Sequence, residues 1–118
     1  MFQQGDYRDL IVWQKAMELV VDVYRLTKEF PPTEIYGLTS QMRRAAVSIP
    51  SNIAEGRRRG TEKDNKYFLR VAFGSGAELE TQIEIANRLC YIDNSNFQKI
   101  HCLVDEVMKM LNKMSSSI

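Results

Sequence analysis

The chain is 118 residues long, enough for one buried core and too short for two. Apolar residues make up 44% and charged residues 26%, which excludes wholesale disorder, and no apolar run approaches the roughly 20 residues needed to span a bilayer. Sixteen Lys and Arg against fifteen Asp and Glu leave a charge of +1, so any basic surface must arise by local segregation, while one His and two Cys leave almost no ligands for a zinc or diiron site.

The start, Met1 to Asp6, has neither the basic nor the apolar region of a secretory signal, and the expectation is a cytoplasmic protein with reduced thiols. The first predicted helix spans about 9–30. Leu10, Trp13, Met17, Val20, Tyr24 and Thr27 form one stripe at helical spacing. Val12, Ala16, Leu19, Val23, Leu26 and Phe30 form a second stripe beside it. One stripe suffices to join a bundle. Two imply either a wide core-facing surface or a helix covered from two sides, the second by another subunit. Asp9 is placed as the N-cap, and Pro31-Pro32 ends the helix.

A second helix is predicted over about 33–59, with Ile35, Leu38, Met42, Ala45, Ile49 and Ile53 on its buried face. Pro50 lies inside this pattern. It removes a backbone N–H and frees the Ala46 carbonyl, yet the apolar phase continues, which predicts a kinked but continuous helix. Ser48, Ser51 and Asn52 are placed to satisfy backbone groups near the kink.

Thr61, with Asp64 three residues on, opens the third predicted helix, about 62–91. Gly74 and Gly76 fall in its middle at a cost of about 1 kcal/mol each relative to Ala. Such a pair implies a bend or a close neighbour. Asp93, Asn94 and Ser95 form the next turn and cap, and the fourth helix covers about 95–114. Cys90 and Cys102 are expected to be reduced, at least partly buried and unreactive. Four helices on short loops predict an all-α, antiparallel up-down-up-down bundle in one domain over 1–118.

The sharpest local feature is charge. Residues 43–70 hold eight bases (Arg43, Arg44, Arg57, Arg58, Arg59, Lys63, Lys66 and Arg70) against Glu55, Glu62 and Asp64, a local charge of +5. The remainder holds eight bases and twelve acids. A basic knob at the turn between helices two and three suits a phosphate backbone. It equally suits acids on a neighbouring chain. Glu78, Glu80 and Glu84 make the later half of helix three acidic, but Glu78 and Glu80 do not share a face. No Glu-x-x-His pair and no Walker loop occurs, so no metal, cofactor or catalytic set is assigned.

Leu38 to Gly56, reading LTSQMRRAAVSIPSNIAEG, closely resembles the signature of the bacterial four-helix-bundle proteins encoded by intervening sequences in 23S rRNA genes. Tyr67-Phe68, the block Gly74 to Glu80, and the opening Leu10 to Ala16 resemble further blocks of that family, and the likeness covers about 8–112. The resemblance implies an up-down bundle assembled as a homopentamer, without catalysis. A relative, the accessory variability determinant of diversity-generating retroelements, binds nucleic acid through a basic surface and partners a reverse transcriptase. Carried over, Arg43, Arg44, Arg57, Arg58 and Arg59 are the matching basic positions, extended by Lys63, Lys66 and Arg70. The net charge of +1 departs from the strongly basic retroelement relatives. The expected partners are other copies of the chain, RNA or DNA, and possible protein partners such as a reverse transcriptase, with no membrane.

Overall fold

The computed structural model describes residues 5–116. Four helices account for most of them: α1 (Ile11–Thr27), α2 (Leu38–Arg58), α3 (Glu62–Arg88) and α4 (Asn94–Ser116). Short 3-10 turns at Tyr7–Asp9 and Pro32–Glu34 precede α1 and α2. There is no strand among the described residues.

Cross-helix contacts fix the topology. Ser48 meets Ser75 and Gly56 meets Phe68, so residue numbers rise in α2 as they fall in α3. The cavity joining Trp13 and Val20 to Ala54 and Val47 shows that α1 and α2 oppose one another. Lys15 pairs with Glu106 while Leu26 lies near Ile100, which makes α1 and α4 antiparallel. Gly76 against Met108, and Glu84 near His101, do the same for α3 and α4. The result is an antiparallel up-down-up-down bundle measuring 49 × 24 × 20 Å. Its core runs the length of the molecule, through Leu19, Met42, Ile49, Leu79, Ile83 and Leu111.

The helix starts depart from expectation in ways that polar side chains explain. Asp9 is not the cap of α1. Asp6 accepts from the Arg8 N–H at 2.9 Å and opens the 3-10 turn that contains Asp9. Leu10 then enters α1 in extended conformation with no side-chain bond. Similarly, α2 starts at Leu38, because Pro32–Glu34 closes as a 3-10 turn and Glu34 Oε1 accepts from the Leu38 N–H at 3.0 Å. A Cβ on Gly37 would lie 2.8 Å from that same oxygen, so a larger residue there would push the Glu34 side chain off its bond to the Leu38 N–H.

Helix α2 runs unbroken through the buried Pro50. Asn52 Nδ2 donates to the Ser48 carbonyl at 2.8 Å and to Ser48 Oγ at 2.9 Å. Ser48 Oγ in turn shares a 2.7 Å hydrogen bond with Ser75 Oγ of α3. Ser51 takes no part; it lines the opposite flank of α2. Helix α3 opens as the sequence predicts, with Thr61 Oγ1 accepting from Asp64 N–H at 3.1 Å.

Helix α3 ends at Arg88, and Cys90 adopts the left-handed conformation with φ 62°. Cys90 N–H bonds the Asn87 carbonyl and Tyr91 N–H the Ala86 carbonyl, which is a Schellman closure made without glycine. The expected burial of the cysteines is not found: Cys90, in this turn, and Cys102, on the outer side of α4, are both exposed free thiols.

Candidate nucleic-acid interface

Three arginines end α2 and three more cations follow on α3. Arg57 and Arg58 in the last turn of α2 face the carbonyl end of the helix, where positive charge is favoured. Glu62 and Asp64 occupy the first turn of α3, where the dipole favours acids. The sequence therefore places both signs of charge at this turn with the helix ends.

The arginines have internal partners. Arg57 is half-buried and lines, with Gly5, Asp6 and Arg58, a shallow cavity of about 260 Å³. The Arg58 guanidinium lies 5.4 Å from the centre of the Tyr7 ring, and Arg8 lies 4.7 Å from the same ring. Tyr7 packs edge-on against Trp13 at 5.4 Å, so the segment ahead of α1 is strapped across the end of α2. Asp6 pairs with Arg8 at 3.1 Å. Its carboxyl is held below the usual range, first by the Arg8 backbone N–H and then by the charges of Arg8 and Arg58. Arg59 donates to Glu55 Oε2 at 2.8 Å and stacks over Phe68 at 5.0 Å.

These engagements do not consume the cationic surface. Arg59 and Glu55 are each about half exposed, and an ion pair of that kind contributes about 0–1 kcal/mol, which a phosphate can displace. Lys63, Lys66 and Arg70 make no ion pair among the described residues, and Lys63 and Arg70 are exposed.

Arg43 and Arg44 lie elsewhere. They precede Arg57 by 14 and 13 residues, about 20 Å along the helix. Arg43 Nε donates to the buried Thr27 Oγ1 at 2.9 Å, and its guanidinium sits 4.6 Å over Tyr24. It braces α1 to α2. Arg44 is exposed on the outer ridge of α2. The +5 segment thus divides into six cations around the α2–α3 turn and the first turns of α3, and a brace plus one surface arginine nearer the other end of α2.

Sequence reading overlooked the strap of Asp6, Tyr7 and Arg8. The signal was the Asp-x-Arg spacing, which permits an Asp side chain to bond the N–H two residues on. The acidic residues form no metal centre: no group of three or more His, Cys, Asp or Glu among the described residues is arranged to hold a metal ion. Glu84 pairs with Arg88 at 3.2 Å, as the i,i+4 spacing predicts, and His101 is exposed beside Phe97. No helix among the described residues is long and apolar enough to cross a membrane.

Known proteins resemble this chain in fold. A crystal structure of a protein of unknown function from the S23 ribosomal protein family of Bacteroides thetaiotaomicron VPI-5482 is similar with a TM-score of 0.81 and 23% identity, over 91% of this chain and 100% of that one. No curated relative matches the sequence. The 23S rRNA-intervening sequence protein family matches residues 8–113, nearly the whole bundle from the strap to the last turn of α4, and the chain belongs to that family.

Proposed function

We propose that this protein is a non-enzymatic, cytoplasmic homo-oligomer that contacts the backbone of RNA or DNA through the basic end of the bundle. The pentameric state follows the family resemblance. The observation that carries the reading is the cluster at the α2–α3 turn, where Lys63, Lys66 and Arg70 have no ion-pair partner among the described residues and adjoin Arg57, Arg58 and Arg59. Positive charge on a rigid helical corner neutralises phosphates and releases counterions, and repetition of the corner around an oligomer adds avidity. The contact is with backbone charge and shape, since the sequence shows no base-reading motif beside these cations.

Fluorescence anisotropy of labelled RNA and DNA oligomers across a salt series tests this. Replacing Lys63, Lys66 and Arg70 with Ala should weaken binding to every sequence and reduce the slope of log affinity against log salt by about two to three. An unchanged slope overturns the assignment. The commitment of Arg58 and Arg59 to aromatic rings favours a second reading, an oligomeric scaffold that docks a protein partner such as a reverse transcriptase or a neighbouring operon product, without nucleic-acid contact. A partner complex that survives nuclease and high salt supports that alternative.

A further inference from the structure

Two tyrosines stand well out of the fold, and their surroundings differ. Tyr36, 94% exposed, follows Glu34 in the turn ahead of α2, in a stretch without Lys or Arg. Tyr67, 63% exposed, sits on α3 among Lys63, Lys66 and Arg70. At about 100° per residue, these three cations fall on one flank of Tyr67, and the half-buried Asp64 and Val71 fall on the other. Lys63 and Arg70 are about 10 Å apart along the helix. Farther on, the same face carries Gly74, where an added Cβ would meet nothing within 4 Å, and then the exposed Glu78, which ends the cationic stretch.

The Tyr67 ring is open. It meets the Phe68 ring nearly at right angles, with centroids 5.0 Å apart and planes at 86°. A perpendicular pair takes at most one face of either ring, so the other face of Tyr67 is turned to solvent. The neighbouring aromatic rings are treated differently. Arg8 and Arg58 approach Tyr7, Arg43 lies over Tyr24, and Arg59 lies over Phe68. Among the described residues no guanidinium lies over Tyr67, although three cations flank it.

A bare aromatic face inside a cationic patch matches one class of ligand. Phosphates satisfy the cations, and a base offers a π-face to the ring. The base can do so only when it is unpaired and unstacked, because a duplex hides its base faces in the stack. We infer that Tyr67 is a stacking platform for an unpaired base, and that the ligand class of the basic corner is single-stranded nucleic acid with its phosphates along Lys63, Lys66 and Arg70. The inference rests on the nucleic-acid contact proposed above and narrows it. Stacking is tolerant of sequence, since every base has a π-face, which agrees with the lack of a base-reading motif. The long side chains of Lys63 and Arg70 reach the phosphates before and after the stacked base. Each copy therefore holds a short stretch of strand, bounded by Glu78, and repetition of the site in an oligomer lengthens it.

The test measures fluorescence anisotropy of a labelled single-stranded oligothymidylate and of a labelled DNA duplex of equal length. Y67A should lose about five- to a hundredfold in affinity for the single strand, the worth of one stacked base, and change duplex binding less than about twofold. Its salt slope on the single strand should match that of the unaltered protein, because no cation has been removed. Y67F, which keeps the ring, should bind as the unaltered protein does, and so should Y36A, which removes the more exposed tyrosine from a place without cations. As a second measurement, Y67W emission should be quenched on adding the single strand, whereas Trp13 emission in the unaltered protein should hold steady. Equal losses on both probes, or none, overturn the inference, as does a Y67A protein whose mass by light scattering differs from that of the unaltered protein. Salt-dependent binding of both probes with Y67A unaffected overturns the stacking role and spares the backbone contact. No binding of either probe at low salt overturns both.

Discussion

The two flanks of α2 are built differently. Toward α3 the seam is closed: a Cβ on Gly56 would stand 2.8 Å from Phe68 Cβ, Ser48 bonds Ser75, and Arg59 lies over Phe68. Toward α1 the same helix leaves an apolar groove lined by Trp13, Val20, Val47 and Ala54, while Arg43 over Tyr24 and Arg58 near Tyr7 tie α2 to α1 and to the segment before it. One helix thus carries a seam that holds the fold and a flank that remains available. The difference lies in residue size and polarity. Glycine and serine let backbones approach and bond on one side, while Trp13, Met17 and Val47 hold the other side apart.

The comparison predicts a gradient of mutational effects. The largest belongs to Ile53, fully buried in the core beside the closed seam. Ile53→Ala should cost about 2–5 kcal/mol in denaturant unfolding, since a cavity adds to the lost transfer energy. Next is Gly56→Ala, expected to cost about 1–3 kcal/mol, because the added methyl must push α3 away from α2. A neutral outcome would show that the seam is looser than described. Ser48→Ala follows at about 1 kcal/mol, as Ser75 and Asn52 each lose a partner. On the open flank, Val47→Ala should change monomer stability by no more than about 0.5 kcal/mol, and a larger loss would make the groove part of the core.

The smallest effect concerns pH. The carboxyl of Asp6 is lowered by its contacts with Arg8 and by Arg58. The stabilisation it gives the strap is complete above its unfolded value, about 3.9, and is lost as pH falls through the lower folded value. Trp13 fluorescence, sensitive to the adjoining Tyr7 ring, should therefore shift only under strongly acidic conditions, and D6N should abolish the shift.

Most of this architecture was legible in the sequence, because apolar residues at 3.6-residue spacing report which face is buried. The stripe of Val12, Ala16, Leu19 and Val23 is buried throughout, whereas Met17 and Tyr24 in the adjacent stripe remain 40% exposed. Both stripes were visible; their unequal covering was not, since it depends on where α2 sits. The helix starts were the poorest reading. Glu34 and Asp6 act as caps through bonds that skip residues, and periodicity carries no trace of them. The basic site was half legible. Counting charges located the α2–α3 turn, but a window of residues 43–70 cannot show that Arg43 is turned onto Tyr24 and Thr27. The Schellman closure at Cys90 was hidden because the residue in the left-handed position is not glycine.

The carboxylate of Glu34 has a consequence for how two distant parts of the bundle are coupled. One oxygen accepts from the first amide of α2, and the other accepts from Tyr91 Oη at 2.9 Å, across 57 residues of chain. A single side chain therefore ties the beginning of one helix to the turn between two others. Because the tie spans 57 residues that include α2 and α3, it can be made only when the turn between α3 and α4 lies beside the start of α2. The Leu38 amide is thereby coupled to a distant turn: Tyr91→Phe should quicken its hydrogen exchange while leaving amides at the middle of α2 protected.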